Sequence, residues 1–423
     1  FMKKQGFSFI LYFMGLILLS SFVRAEPFVR AEDGGAASWK QWFLSQLENH
    51  PSMSAVGAQL ISTNANADAA EQPLYNPELT SEFERNGQEN NYTLGVQQTI
   101  DWWDKRAVKQ QQAGFIRQAA EAQYRQQLLE KAADALSALV EWHANERAAS
   151  IAEDQKKQLN MLLDLAETRQ KAGDIGSIDA ELAFLSLSQQ LAQVAETEVA
   201  LRKAESRVRE LLPEWAARQG GVPDALWPTK PGIVSENDLL AHPLVASARA
   251  QWQSLQEEAE AIRLTAKAEP TVGVNAGRNG GENLIGLTFS MPLNVRNNFS
   301  AETRAASSAA LEQEARYQAV YRKQRFNWQS AQMAWTRYQE QHLHWQTLVQ
   351  GRVNNSAELL ERQWRSGDLS TTDYLQALNQ RTDSLLAGIQ LEKQTRLALT
   401  DMLLQSGSLL TQLVSTAKSK PTN

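Results

Sequence analysis

Two stretches of this chain alternate apolar and polar residues with a period of two. In the first, Leu79, Ser81 and Phe83 fall on one face, and Glu78, Thr80, Glu82 and Glu84 on the other. After the polar run 86–90, Tyr92, Leu94, Val96 and Ile100 share a face opposite Thr93, Gly95, Gln97 and Thr99. That pattern predicts a β-hairpin over 77–100 with one apolar and one polar face. The second stretch, 270–293, sets Val272, Val274 and Ala276, then Ile285, Leu287, Phe289 and Met291, against Thr271, Gly273, Asn275, Gly277, Gly286, Thr288 and Ser290. It predicts a second hairpin of the same kind.

Around each hairpin the period changes to that of a helix. A helix over about 37–72, broken at His50-Pro51, leads into the first hairpin. After it, 104–171 holds no proline and a single glycine, Gly114, and predicts one very long helix. The turn Gly173-Asp174-Ile175-Gly176-Ser177-Ile178-Asp179 then opens a helix over 177–212. The plan repeats in the second half. His242-Pro243 opens a helix, the 270–293 hairpin follows, a long helix is predicted over 296–365, and Gly367-Asp368-Leu369-Ser370-Thr371-Thr372-Asp373 turns into a helix over 371–405. Glycine permits the left-handed backbone that closes one helix, and the Ser or Thr after it caps the next. The chain therefore divides into repeats 26–230 and 231–423, joined by a Gly- and Pro-rich connector and ending in a C-terminal tail.

A helix of that length spans about 100 Å, and the helices before each hairpin and after each turn are each about half as long. Stacked end to end, two short helices match one long one. The fold class is mainly α with a small β part, built as four parallel columns with all strands at one end and both Gly-Asp turns at the other. Four strands do not close a barrel, and an open apolar-faced sheet needs further copies of the chain to complete it. Three copies supply twelve strands and a wide lumen.

Composition narrows the partners. Lys3 and Lys4, the apolar run 7–22 and Val23-Arg24-Ala25 read as a signal peptide over 1–25. A net charge of −6 argues against nucleic acid. The chain has no cysteine, no Gly-rich phosphate loop and no His-Glu-x-x-His motif, so neither enzyme chemistry nor a cofactor is expected. His342 and His344, two apart on a helix, point to nearly opposite sides and do not form a metal site. Twelve tryptophans are many for this length and suit both cores and membrane interfaces.

The ordered set of motifs resembles the TolC-like outer-membrane efflux channel family over essentially the whole chain after residue 25. It comprises the repeated helix, hairpin, long helix and tip order, the Asn76-Pro77-Glu78-Leu79 start of the first hairpin, and the two Gly-Asp tips. Gly286-Leu287-Thr288-Phe289-Ser290-Met291-Pro292-Leu293 followed by Arg296-Asn297 is most similar to the heavy-metal cation efflux (CzcC-like) branch. The chain departs from that branch at Asp101-Trp102-Trp103-Asp104-Lys105-Arg106, where a Gly-Lys-Arg is common. The resemblance implies a homotrimeric, porin-like duct: a twelve-stranded barrel in outer-membrane lipid, continued by a helical barrel across the periplasm. It would dock onto a periplasmic adaptor and an inner-membrane pump of RND type, with metal cations as cargo. Drug efflux or a type I secretion duct is the related alternative. From another class, a periplasmic coiled-coil protein for structure or adhesion remains open.

On this reading Leu94, Val96, Val272, Val274, Ile285, Leu287 and Phe289 face lipid, with Tyr92, Trp102 and Trp103 as interfacial anchors. Glu78, Glu82 and Glu84 either line an acidic lumen that favours cations or are ordinary solvated carboxylates. At the tips, Gly173 and Gly367 make the turns. Asp174, Asp179, Asp368 and Asp373, with Arg169 and Arg365, form an entrance ring or adaptor contact; for Asp179 and Asp373 helix capping is the competing role.

Overall fold

A computed structural model describes residues 34–173, 176–227, 234–349 and 352–415. The signal segment 1–25 and Asp174 lie outside the described residues. In chain order the elements are α1 (Gly34–Glu48), α2 (Pro51–Ala70), β1 (Glu78–Asn86), β2 (Glu89–Thr99), α3 (Lys105–Ala172) and α4 (Ser177–Leu211). The second repeat supplies α5 (Glu236–Ala241), α6 (Pro243–Thr265), β3 (Thr271–Asn279), β4 (Glu282–Ser290), α7 (Ser300–Val349), α8 (Arg352–Ser366), α9 (Thr371–Gln405) and α10 (Leu409–Ser415). At 68 residues, α3 is about 100 Å long.

In the half next to the sheet, α2, α3, α6 and α7 lie side by side in that order; in the far half the order is α4, α3, α9, then α7 and α8. The short helices are thus stacked, α2 on α4 and α6 on α9, as their lengths require. A histidine makes each splice. At the start of α2, Nδ1 of His50 accepts the Ser52 N–H and Nε2 donates to the Glu210 carbonyl at the end of α4, 3.1 Å away. At the start of α6, His242 does the same between the Leu244 N–H and the Leu404 carbonyl of α9, also at 3.1 Å. Each imidazole gives a helix-start N–H its acceptor and adds a donor to a carbonyl at another helix end.

A collar packs around these splices. α1 lays Trp39, Phe43 and Leu47 against Leu129, Ala132, Leu136 and Leu139 of α3, and Trp142 meets Trp215 of the connector edge to face, with ring centroids 4.9 Å apart. The short helices α5 and α10 belong to this collar. The tail and connector are partly helical and cover apolar surface left where the short helices end.

The first long helix starts where expected, with Asp104 at its N-cap, and the second starts later. The second was expected from 296, but residues up to 299 form a junction: Asn297 Oδ1 accepts the Phe299 N–H and Asn298 Oδ1 accepts the Ser300 N–H. Phe299 and Asp104, the residues just before α7 and α3, are the two non-glycine positions with left-handed backbone among the described residues, both at φ 56°. In the first repeat Asp101 plays the asparagines' part and accepts the Lys105 and Arg106 N–H groups. Both repeats thus turn from strand to helix by one device. The continuous helix expected to 365 is described as α7 and α8, with residues 350–351 between them outside the described set.

The sheet runs β1-β2-β3-β4, antiparallel throughout. Its register pairs Val96 with Leu79 and Val274, and Val274 with Leu287, so one row of apolar side chains crosses all four strands.

Candidate functional site

The sheet's two faces differ completely. On one lie Leu79, Phe83, Tyr92, Leu94, Val96, Val272, Val274, Ile285, Leu287 and Phe289, all exposed; Ile285 and Leu287 each keep 85% of their surface open. No helix covers this face among the described residues. Every Glu of the strands, at positions 78, 82, 84, 89 and 282, lies on the opposite face, and both strand arginines, Arg85 and Arg278, lie on the apolar one.

The polar face is also the concave one. Gly95, Gly273, Gly277 and Gly286 all lie on it; at the first three a Cβ would crowd the backbone of a neighbouring strand, and at Gly286 it would meet the Asn275 side chain. A Cβ at Gly95 would stand 2.9 Å from the Val274 carbonyl, one at Gly273 2.5 Å from Thr288 Oγ1, and one at Gly277 would collide with the Tyr92 carbonyl. Atoms crowd on the inside of a curved sheet, and glycine is what allows the curvature. By that criterion the glutamates share the concave face and the apolar band the convex one. The open edges, β1 and β4, continue downward as the α2/α4 and α7/α8 columns, which carry exposed Ile61, Phe184 and Leu191 on one side and Leu311, Phe326 and Met333 on the other.

Where sheet meets helices, a buried polar cluster ties the two hairpins together. Glu269, 5% exposed, accepts from Tyr75 and pairs with Lys105 at 3.3 Å. Burial, then the Glu269 contact, push the Tyr75 hydroxyl up to about 12. Burial raises the Asp101 carboxyl, but the N–H groups of Arg106 and Lys105 and a contact with Glu269 outweigh it, so its pKa lies below the usual carboxylate range. Beside this cluster Trp103 donates Nε1–H to the Ala268 carbonyl at 2.8 Å, and Lys267 Nζ sits 4.2 Å from its ring centroid.

At the far end the two turns touch. Arg169 of α3 donates to the Arg365 carbonyl at 2.8 Å and stacks over Trp364, 5.4 Å from guanidinium carbon to ring centroid. Trp364 stacks in turn on Tyr374, and its indole N–H reaches Thr371 Oγ1 at 3.3 Å. Gly173 and Gly367 both have the expected left-handed backbone, at φ 81° and 80°.

Residues 43–213 match the family model described as Outer membrane efflux protein, a span running from α1 to the end of the first repeat. No curated protein sequence matches the chain. Among solved structures it is similar to the outer-membrane channel OprN, with 16% identity and a TM-score of 0.71 over 88% of this chain and 92% of that one. It is similar to CusC, a structure described for its transmembrane channel formation, with 13% identity and 0.72 over 88% and 92%. It is likewise similar to the Campylobacter jejuni CmeC outer membrane channel, with 13% identity and 0.71 over 90% and 88%. The chain has the fold of a TolC-like outer-membrane efflux channel.

In this channel fold the residues singled out from sequence fall into three groups. The apolar set from Leu94 to Phe289 forms one continuous exposed band on one face. Tyr92 sits near its hairpin end and Trp102 and Trp103 at its helix end. Trp103 is more than an anchor, because it also clamps the second hairpin. Glu78, Glu82 and Glu84 share the polar face, where Glu78 accepts from Gln97 at 2.7 Å.

At the tips, Asp373 acts with the N-cap of α9: its N–H donates to Ser370 Oγ and its carboxylate accepts from the same hydroxyl at 2.7 Å. The first copy does not repeat this. Gly176 stands at the N-cap of α4 without a side-chain cap, and the Asp179 side chain lies outside the described residues. Asp368 accepts from Ser366 at 2.7 Å and stays exposed, and Arg365 pairs with Glu361 one turn back. Sequence reasoning missed Tyr75, Glu269, Trp364 and Tyr374. Tyr75 and Glu269 are 194 positions apart, too far for any local period to signal, and Trp364 and Tyr374 meet only because the turn between them folds one helix back on the other.

Proposed function

We propose that this chain is the outer-membrane channel component of a tripartite efflux system, a passive exit duct across the periplasm and outer membrane whose cargo is heavy-metal cations. The observation that carries the reading is the segregated, curled sheet. An apolar band with no covering layer is stable in lipid, and two open edges that continue into apolar column edges suit closure by further copies of the same chain. Three copies make twelve strands, enough for a water-filled lumen. A coiled-coil structural protein has no use for such a band.

The five inward glutamates of each chain support cationic cargo. Repeated in three chains, they give the lumen a ring-like negative field that concentrates cations and repels anions. Replacing Glu78, Glu82 and Glu84 together by Gln, which leaves Glu89 and Glu282, is expected to lower the cation-to-anion permeability ratio while leaving conductance steps intact. Planar-bilayer recordings in a salt gradient read this directly; an unchanged reversal potential would remove the cation argument. The same recordings, with the mass of the detergent particle, test the duct itself: a non-conducting monomer would overturn it.

The tips are the proposed contact for the periplasmic adaptor, which links the duct to an inner-membrane pump. Asp368 lies in the described turn at the end farthest from the sheet, and Asp174 is its counterpart in the sequence of the first Gly-Asp turn. Charge reversal at both, Asp174→Lys with Asp368→Lys, is expected to weaken adaptor binding at least about tenfold. Conductance in the bilayer should persist. Pull-down with the cognate adaptor separates the two effects, and unchanged capture would move the contact elsewhere.

A further inference from the structure

The outward face of the sheet ends, at its hairpin turns, in a positively charged patch that the duct itself does not need. Arg85 on β1 and Arg278 on β3 are the two basic residues of the strands, and both lie on the apolar face. They flank β2 at neighbouring register positions: Arg85 pairs with Asn90, and Arg278 with Tyr92. Two strand spacings across and two residues along place their backbones about 12 Å apart, which their side chains bridge easily. Arg278 donates Nε–H to the Gly281 carbonyl at 3.1 Å, which leaves its terminal nitrogens without a partner among the described residues. Arg85 has neither a hydrogen bond nor an ion pair among them. The nearest carboxylates, Glu84, Glu89 and Glu282, lie on the opposite face.

An unpaired guanidinium at the border of a lipid-facing band is costly unless something anionic meets it there. We infer that Arg85 and Arg278, with Tyr92 and Asn90 between them, form a binding site for a phosphate-bearing lipid headgroup of the outer leaflet. The ligand class follows from the chemistry. Two forked donors suit phosphate oxygens bidentately, the phenol offers a further donor, and the apolar band directly below accepts acyl chains from the same molecule. A free anion would use the arginines but not the band. The site rests on the outer-membrane orientation proposed above, which puts the hairpin turns at the outer surface.

Native mass spectrometry of the detergent-purified protein with bis-phosphorylated lipid A, and with its dephosphorylated counterpart, tests this without any substitution. The phosphorylated lipid is expected to bind at least about tenfold more tightly. Equal binding of the two lipids would overturn the site, and displacement by millimolar inorganic phosphate would reduce it to a general anion patch. The variant Arg85→Gln with Arg278→Gln should lose the preference while keeping the wild-type single-channel conductance. If the preference survives in that variant, these arginines do not form the site; if conductance is absent from wild type as well, the duct reading fails instead.

Discussion

Replacing Gly277 by valine should leave the protein without an assembled barrel. A Cβ at this position runs into the Tyr92 carbonyl and the Thr93 backbone of the neighbouring strand. Backbone has nowhere to go when the strand is already paired on both sides, with Thr93 and with Leu284. Overpacking of this kind costs up to about 3 kcal/mol where neighbours yield, and more where the obstacle is main chain. Even that lower figure shifts each chain's folding equilibrium by about two orders of magnitude. The control is one residue away: Ala276→Val points to the outward face and should assemble normally. Heat-modifiable migration on gels, or the trimer fraction in detergent, distinguishes the two variants. A Gly277→Val protein that conducts like wild type would mean that the sheet is flatter than described, and the assignment of inner and outer faces would lose its main support.

The second large effect is expected at His242. This imidazole is 2% exposed and joins α6 to α9 through the Leu244 N–H and the Leu404 carbonyl. His242→Ala leaves the Leu244 N–H without its acceptor, takes one donor from the Leu404 carbonyl, which keeps the Gly407 N–H, and opens a cavity, at about 2–4 kcal/mol. His50→Ala, at the equivalent but more open splice, should cost less. Acid should act on His242 in the same direction. Burial lowers its pKa, opposed by the Leu404 carbonyl and Glu130, so the folded state holds the neutral ring more firmly than the unfolded chain does. The unfolded state then binds more protons, and stability is complete above the ordinary histidine range and falls as the pH drops below about 6.5. The dissociation temperature of the detergent-solubilised protein should decline between about pH 7 and 5. In His242→Gln that decline should shrink. A variant that tracks wild type across the range would show that other groups govern the acid response.

Much of this architecture was readable in the order of residues, for physical reasons. Strand alternation survives in sequence because each face meets one solvent along its whole length, so Leu94, Val96, Val274 and Leu287 announce themselves together. Helix lengths are readable because proline is absent from Asp104 to Lys171. The doubling is readable because His50 and His242 precede proline at matched places. Less visible was what those histidines hold, since the Glu210 and Leu404 carbonyls are set by how columns stack. The Tyr75–Glu269–Lys105 knot and the Arg169–Trp364–Tyr374 stack were hidden for the same reason. They join different repeats, and nothing local marks their partners. Asparagine at 297 and 298 displaced the start of α7 to Ser300, because a side-chain acceptor just outside a helix competes with continuing it.

The two tips were expected to be alike, and they differ. The second holds stacked aromatics, Trp364 on Tyr374, and a Ser370 cap; at the corresponding places the first has Gln170, Ala180 and an uncapped Gly176. Six separate short chains arranged in a ring could offer a visitor only one kind of groove. Fusing the units in pairs lets the copies drift apart, so that around the mouth a stiff, aromatic-braced corner alternates with a plainer one. The adaptor proposed above would meet two dialects there, not one, with separately tunable affinities.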